Sequence, residues 1–246
     1  MNLYGFLNST LLGPFIRRRV HVTIIGRENL PKAGAFILAM GSHTNEVESV
    51  IVAAWLQERQ LHFYAKSDYW NRPGLKGWAQ RWYMTAVGHI SVERGGSRAV
   101  LKAIEDGVEV LRRGEALAVY PEGTRVSDGK VHGAHPGTVR TLLDTICAER
   151  EATGIAPRIP IVPVGLVHMG SVAPPNGGFI PRRGEAMIRI GQPMYLSSAE
   201  LRALRNGGRP AMRLLTKELS RRMMRRIAAL CDKEYDPHPL PIPGSN

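Results

Sequence analysis

The stretch "FILAMGSHTNEVESVIVAAWL", residues 36–56, changes character midway. Phe36 to Met40 is a short, unbroken apolar run, which fits a buried strand. From Glu46 the chain starts acidic and turns apolar, and this pattern predicts a helix over about 46–59. Gly41, Ser42, His43, Thr44 and Asn45 lie between the two. The stretch reads as strand, turn and helix. A histidine sits in the turn, and two glutamates, Glu46 and Glu48, sit at the mouth of the helix.

The same alternation continues outward. Strands are expected at 20–25, 61–65, 89–92, 116–120, 159–167 and 186–190. Helices are expected at 74–87, 98–113, 138–151, 198–205 and 210–230. Strands alternating with helices predict an α/β fold: a mostly parallel or mixed central sheet with helices on both faces. No repeat, low-complexity block or long linker interrupts the pattern, so residues 20–235 are expected to form one domain. Pro163 interrupts its strand, which favours an edge or a bulge. The tail 236–246 carries four prolines and is expected to lie extended.

The 246 residues suffice for one large domain with a real core. Two cysteines, Cys147 and Cys231, form no disulfide framework and fit a reducing compartment. No Cys/His cluster has zinc spacing, so no metal is expected. The 33 basic against 21 acidic residues give a net charge of +12, which attracts phosphate in nucleic acid or anionic lipid. No nucleic-acid motif accompanies the arginine pairs, so nucleic acid is not an expected partner. No run reaches the roughly 20 apolar residues of a spanning helix. In segment 1–19, Leu3, Leu7, Leu11 and Phe15 fall at helical spacing just before Arg17–Arg19. That pattern fits an amphipathic helix at a membrane interface, and equally a first helix packed on the core. The expected location is peripheral, on the cytoplasmic face of a membrane. The stretch "NRPGLKGWAQRWYM", 71–84, mixes tryptophans with basic residues and leaves the same two placements open.

Four blocks lie at the ends of expected strands: "SHTNEVE" from Ser42, "VGHISVERGG" from Val87, "VYPEGTRVSDG" from Val119 and "IPIVPVGLV" from Ile159. In α/β sheets, sites collect at the carboxyl ends of strands. The four blocks, in this order, resemble the glycerolipid acyltransferases, the family of 1-acylglycerol-3-phosphate acyltransferase. That family carries a histidine, four intervening residues and an aspartate; then a strand ending in arginine; then Glu-Gly-Thr-Arg; then a Val-Pro strand. The resemblance covers about residues 20–195, and Glu-Gly-Thr-Arg is its most specific element. One position departs: Glu48 stands where the family has aspartate, a replacement that the related lipid A acyltransferases accept.

The resemblance implies O-acyl transfer from an acyl thioester, acyl-CoA or acyl carrier protein, to a lysophospholipid hydroxyl, above all 1-acylglycerol-3-phosphate. No further cofactor is implied. His43 is the implied base, and Glu48 is its orienting carboxylate. A neutral imidazole removes the acceptor proton, while a carboxylate on the other ring nitrogen fixes the tautomer. Positions five apart on a helix diverge by about 140°, so His43 must precede the helix and Glu48 must reach back to it. Arg94 is the implied phosphate clamp, for which a guanidinium fork is suited. Lys66 is a second phosphate candidate. Glu122, Gly123, Thr124 and Arg125 are implied in acceptor binding. Taken one by one, the same residues also fit a solvated loop histidine with helix-capping acids, a surface arginine and a plain turn. Two other functions stay open: the same chemistry on a glycolipid or on a metabolite hydroxyl or amine, and a non-catalytic protein binding lipid or nucleic acid through its arginines. His132 and His135 are expected to be solvated loop residues, Cys147 a core residue, and Met212, Leu215, Leu219 and Met223 helix packing.

Overall fold

Every residue of β2 (Phe36–Gly41) is buried, because this strand lies mid-sheet and is covered on both faces. Phe36, Leu38 and Met40 join one apolar cluster, and Ile37 and Ala39 join the cluster on the other side. This is the two-residue period of a strand between two layers. The computed structural model describes residues 10, 12–71, 73–93, 96–175, 177–178 and 180–241. Arg94, and Leu3, Leu7 and Leu11 of the N-terminal stripe, lie outside the described residues.

Among the described residues, α1 (Leu12–Arg19) and β1 (Val20–Ile25) precede β2. There follow α2 (Val47–Trp55), β3 (Leu61–Lys66), α3 (Gly74–Ala86), β4 (Ile90–Val92), α4 (Gly96–Arg112) and β5 (Ala116–Val119). Then come β6 (Val131–Gly133), α5 (Gly137–Thr153), β7 (Ile161–Val167), α6 (Met169–Val172) and β8 (Gly184–Ile190). The chain closes with α7 (Ser198–Asn206), α8 (Gly208–Cys231) and β9 (Tyr235–Pro239). The main sheet has the order β1-β8-β7-β2-β5-β3-β4. Strands β7, β2, β5, β3 and β4 run parallel, so their carboxyl ends share one edge. β8 opposes β7, and β1 runs with β8. The architecture is α/β with a central, mostly parallel sheet flanked by helices.

Several elements differ from the sequence expectation. α2 stops at Trp55 rather than near residue 59. Arg59 has left the helix, and its guanidinium bonds the carbonyls of Gly34 and Gly114 at 3.0 and 2.8 Å. The described part of the tail is extended and also paired, since β9 runs in parallel with β6. Pro163 sits mid-sheet at a bulge. Between the pairs Ile161↔Met194 and Val164↔Ile190, three residues of the β8 side face two of β7. The missing N–H falls in that gap, while the Pro163 carbonyl still accepts from Gly191 N–H at 2.8 Å.

α1 packs against α2 and buries Ile16. Arg17 and Arg19 donate to the carbonyls of Ala54 and Pro181, both at 2.8 Å. The described part of the N-terminal segment is thus held by the domain, with Phe15 and Arg18 left exposed. No helix among the described residues is long and apolar enough to cross a membrane. Leu215, Leu219 and Met223 of α8 are buried in the core.

α8 crosses the carboxyl ends of β2 and β7 so closely that two strand residues there, Gly41 and Gly165, are glycines. A Cβ on Gly165 would lie 2.5 Å from the backbone carbonyl carbon of Leu230. Gly165→Ala should therefore cost about 1–3 kcal/mol, the usual penalty of overpacking, with α8 pushed off the sheet. Urea unfolding measures it; a midpoint equal to that of the wild type would disprove the close contact.

Candidate active site

Four described segments meet at the carboxyl ends of the parallel strands: the turn after β2, Lys66 at the end of β3, the turn after β5, and the segment after β7. Ser42 leaves β2 in the left-handed region, with φ 65°. For a residue other than glycine this costs on the order of 1–3 kcal/mol and persists only where the surroundings enforce it. They do so here. Ser42 N–H donates to Glu122 Oε2 at 3.1 Å, and Ser42 Oγ accepts from Lys233 Nζ at 2.6 Å. The next carbonyl, of His43, accepts from Val126 N–H at 2.7 Å. The turn then enters α2 through Asn45, whose Oδ1 accepts from Val47 N–H at 2.9 Å and whose Nδ2 donates to the Pro174 carbonyl at 2.7 Å.

This course brings the His43 ring to Glu48, the second residue of α2. Nδ1 lies 2.8 Å from Glu48 Oε2. The Glu48 side chain is fully buried, and the His43 side chain is 14% exposed. Glu48 also accepts from Thr44 N–H, at 3.0 and 3.1 Å to its two oxygens, and from the Thr44 hydroxyl. An ionised carboxylate accepts only, so its Nδ1 contact makes that ring nitrogen the donor and leaves Nε2 as the basic one. The Tyr120 ring stacks on the imidazole with centroids 4.0 Å apart and limits its rotation. Burial and the Glu48 charge push the Tyr120 hydroxyl well above its usual pKa, so it stays neutral.

The turn after β5 carries the Glu-Gly-Thr-Arg block. Within this turn Glu122 is bonded to backbone groups. Its side chain is fully buried, and its oxygens accept from Ser42 N–H and from His132 N–H, the latter at 2.9 Å. Burial raises its pKa, and the backbone N–H groups of His132, Ser42 and His43 oppose that rise. Gly123 has φ 69°, and its N–H closes the turn onto the Tyr120 carbonyl at 3.0 Å. Gly123 and Arg125 are exposed, and Thr124 is partly so. Lys66 Nζ is 3.0 Å from Glu46 Oε1. Burial raises the Glu46 pKa, but hydrogen bonds from Tyr69 and Lys66 and the Lys66 and Arg125 charges outweigh it and hold the carboxyl below its usual range. Lys66 therefore meets any ligand with its charge already shared.

The site also has supports that carry no sequence signal. His132 is buried rather than solvated, with Nε2 2.8 Å from Asp128 Oδ2. His135 Nε2 is 2.9 Å from the Leu240 carbonyl, a partner that holds the tail in place. Lys233 comes from beyond α8, 191 positions from Ser42. Strand ends and a charged residue in a tail are the only hints of these contacts. Cys147 is half-buried, and its thiol is pushed up by burial, as befits a packing residue. No group of three or more His, Cys, Asp or Glu among the described residues could hold a metal.

Comparison with known proteins places this geometry. A family model described as Acyltransferase matches residues 21–167. A chloroplastic 1-acyl-sn-glycerol-3-phosphate acyltransferase of Brassica napus is 26% identical over 178 residues, 72% of this chain and 46% of that protein. A Chlamydomonas reinhardtii protein of the same name is 28% identical over 169 residues, 69% and 45% of the two chains. The chain thus spans less than half the length of these two relatives. The Bacillus subtilis 1-acyl-sn-glycerol-3-phosphate acyltransferase is 22% identical over 176 residues and is covered to 74% of its length. The crystal structure of the Thermotoga maritima 1-acyl-sn-glycerophosphate acyltransferase, PlsC, shares the fold with a TM-score of 0.61 at 21% identity, over 92% of this chain and 81% of that one. The family match covers more than half of the chain and includes both turns that build the site; the chain belongs to the acyltransferase family.

Proposed function

We propose that this protein transfers a fatty acyl group from an acyl thioester to the free hydroxyl of 1-acylglycerol-3-phosphate, at the surface of an anionic membrane. The observation that carries the reading is the His43–Glu48 pair at the carboxyl edge of the parallel strands. Nδ1 is committed to Glu48, so Nε2 takes the acceptor hydroxyl proton as the oxygen attacks the thioester carbonyl. The tetrahedral adduct collapses, the carbon–sulfur bond breaks, and the thiolate leaves with that proton. Glu48 stabilises the imidazolium in between. No enzyme nucleophile is required. The relatives' names supply the acceptor, and the donor is acyl-CoA or an acyl carrier protein. Arg94, at its motif position, clamps the acceptor phosphate, with Arg125 adding charge from the rim. Glu122 contributes by holding the turn that carries His43.

The membrane part rests on α3. Leu75, Trp78 and Trp82 recur at helical spacing and are 80%, 61% and 48% exposed. No acidic residue occurs from Asn71 to Val92, where Arg72, Lys76 and Arg81 supply basic charge. Tryptophan rings prefer headgroup depth, and cationic neighbours draw anionic lipid. α3 begins at the carboxyl end of β3, the edge that holds His43, so lipid at its first turn lies on the substrate's side.

Two experiments test this reading. In the first, turnover and specificity constants are measured for lysophosphatidic acid and for neutral monoacylglycerol. His43→Ala should lower turnover by about 10²–10⁴-fold with the fold intact. Arg94→Ala should shift the ratio of the two specificity constants toward the neutral acceptor. Retained turnover in the first variant rules out His43 as base, and an unmoved ratio in the second removes the phosphate clamp. In the second experiment, vesicles of anionic phospholipid are sedimented with protein at low salt. The triple variant Leu75→Ser, Trp78→Gln, Trp82→Gln should stay in the supernatant while the wild type pellets. Equal pelleting would move the contact to another surface, and deletion of residues 1–16 would then examine the N-terminal stripe.

A further inference from the structure

The turn that carries His43 is held from a part of the chain that lies outside the family match. α8 ends at Cys231, and Asp232 caps it in the left-handed region with φ 53°. Lys233 N–H donates back to the Ala228 carbonyl at 3.0 Å, and the Asp232 carboxylate pairs with Arg189. These contacts fix the Lys233 backbone beside the catalytic edge. On the other side, β9 begins at Tyr235 and pairs with β6, and Lys130 bonds Glu234 at 3.1 Å. Held from both directions, Lys233 sends its ammonium to Ser42 Oγ, 2.6 Å away.

We propose that Lys233 is a positioning residue for His43, acting through Ser42. The inference rests on the reading of His43 as the base. Ser42 is 4% exposed, with a carboxylate on its N–H and an ammonium on its Oγ. It sits in a backbone region that serine does not adopt by preference. A change of φ at Ser42 redirects everything after it, and the first thing after it is the His43 ring. The ring meets Glu48 only from the observed course of the turn. Lys233 therefore acts on catalysis without touching substrate: it holds a strained residue in the one conformation that aims the base. Its effect on kcat depends on the strain and the hydroxyl at Ser42; were it a mere tether for the tail, its removal would loosen β9 and leave kcat and the turn at 42–46 unchanged.

That dependence is the test. Turnover and KM are measured for wild type, Lys233→Met, Ser42→Gly and the double variant, after circular dichroism has shown each to be folded. Glycine adopts positive φ freely and has no hydroxyl, so it removes both the strain and the ammonium's acceptor. Lys233→Met alone should lower kcat about 10–100-fold with KM unchanged, the scale expected of a misplaced catalytic group. In the Ser42→Gly background the same change should lower kcat less than about twofold, and Lys233→Arg should keep part of the wild-type rate. An equal loss in both backgrounds, or a change confined to KM, overturns the proposal. Amide hydrogen exchange over residues 42–46 gives a second readout that needs no activity. Lys233→Met should speed exchange there and leave β2 protected; unchanged exchange overturns the proposal as well. A wild-type protein without turnover would instead strike at the proposed function, and the exchange result would still stand for Lys233.

Discussion

A carboxylate removed from water must be met by donors, or it protonates or unfolds its surroundings. Glu122 is met by backbone N–H groups from different segments, Ser42 and His43 in one and His132 in another. The turn after β2, the turn after β5 and the strand β6 are therefore fastened at one point. Charge-assisted hydrogen bonds of this kind are stronger than neutral ones, and loss of one leaves a buried charge short of a partner. The position of His43 follows from this fastening, because Ser42 is both the residue that Glu122 grips and the residue from which the histidine projects.

The site contains two buried glutamates with separate work. Glu122 sees backbone and never faces the ring, while Glu48 sees the ring and the Thr44 N–H and hydroxyl. Sequence distance sets the division. Glu48 lies five residues from His43 and returns to it through the first turn of α2, so the pair is local. Glu122 lies 80 residues from Ser42 and requires β5 to lie beside β2. The local pair aims one nitrogen. The distant one sets the stage on which that aim has meaning. Tyr120, two residues before Glu122, closes the arrangement by stacking on the imidazole.

Much of this was legible in the sequence because it is written in short-range pattern. The apolar run of β2, the acidic start of α2 and the spacing of His43 to Glu48 need only strand and helix periods. The order of the four blocks placed them at strand ends, and the parallel sheet brings those ends together. The β6–β9 pair was not legible. Val131–Gly133 has three residues and no strand signal, and β9 holds two prolines, so composition spoke for an extended tail and not for a paired strand. His132 looked like a loop histidine because its burial depends on that pairing. The tryptophans of α3 were ambiguous for a different reason. Composition alone does not tell an interface helix from a core helix, and only the structure shows that Trp78 and Trp82 do not pack into the core.

The bond between Lys233 and Ser42 closes a span of 191 residues, and β9 adds the last described strand to the molecule. Chains fold from the N-terminus as they are made, while contacts between remote residues carry the entropy of closing long loops. A nascent chain can pair β2 with β5 and form the His43–Glu48 contact long before Lys233 emerges. It cannot brace Ser42 until α8 has packed across Gly41 and Gly165 and the tail has turned back along β6. The brace on the turn that carries His43 therefore forms only after the strands of the main sheet have been made.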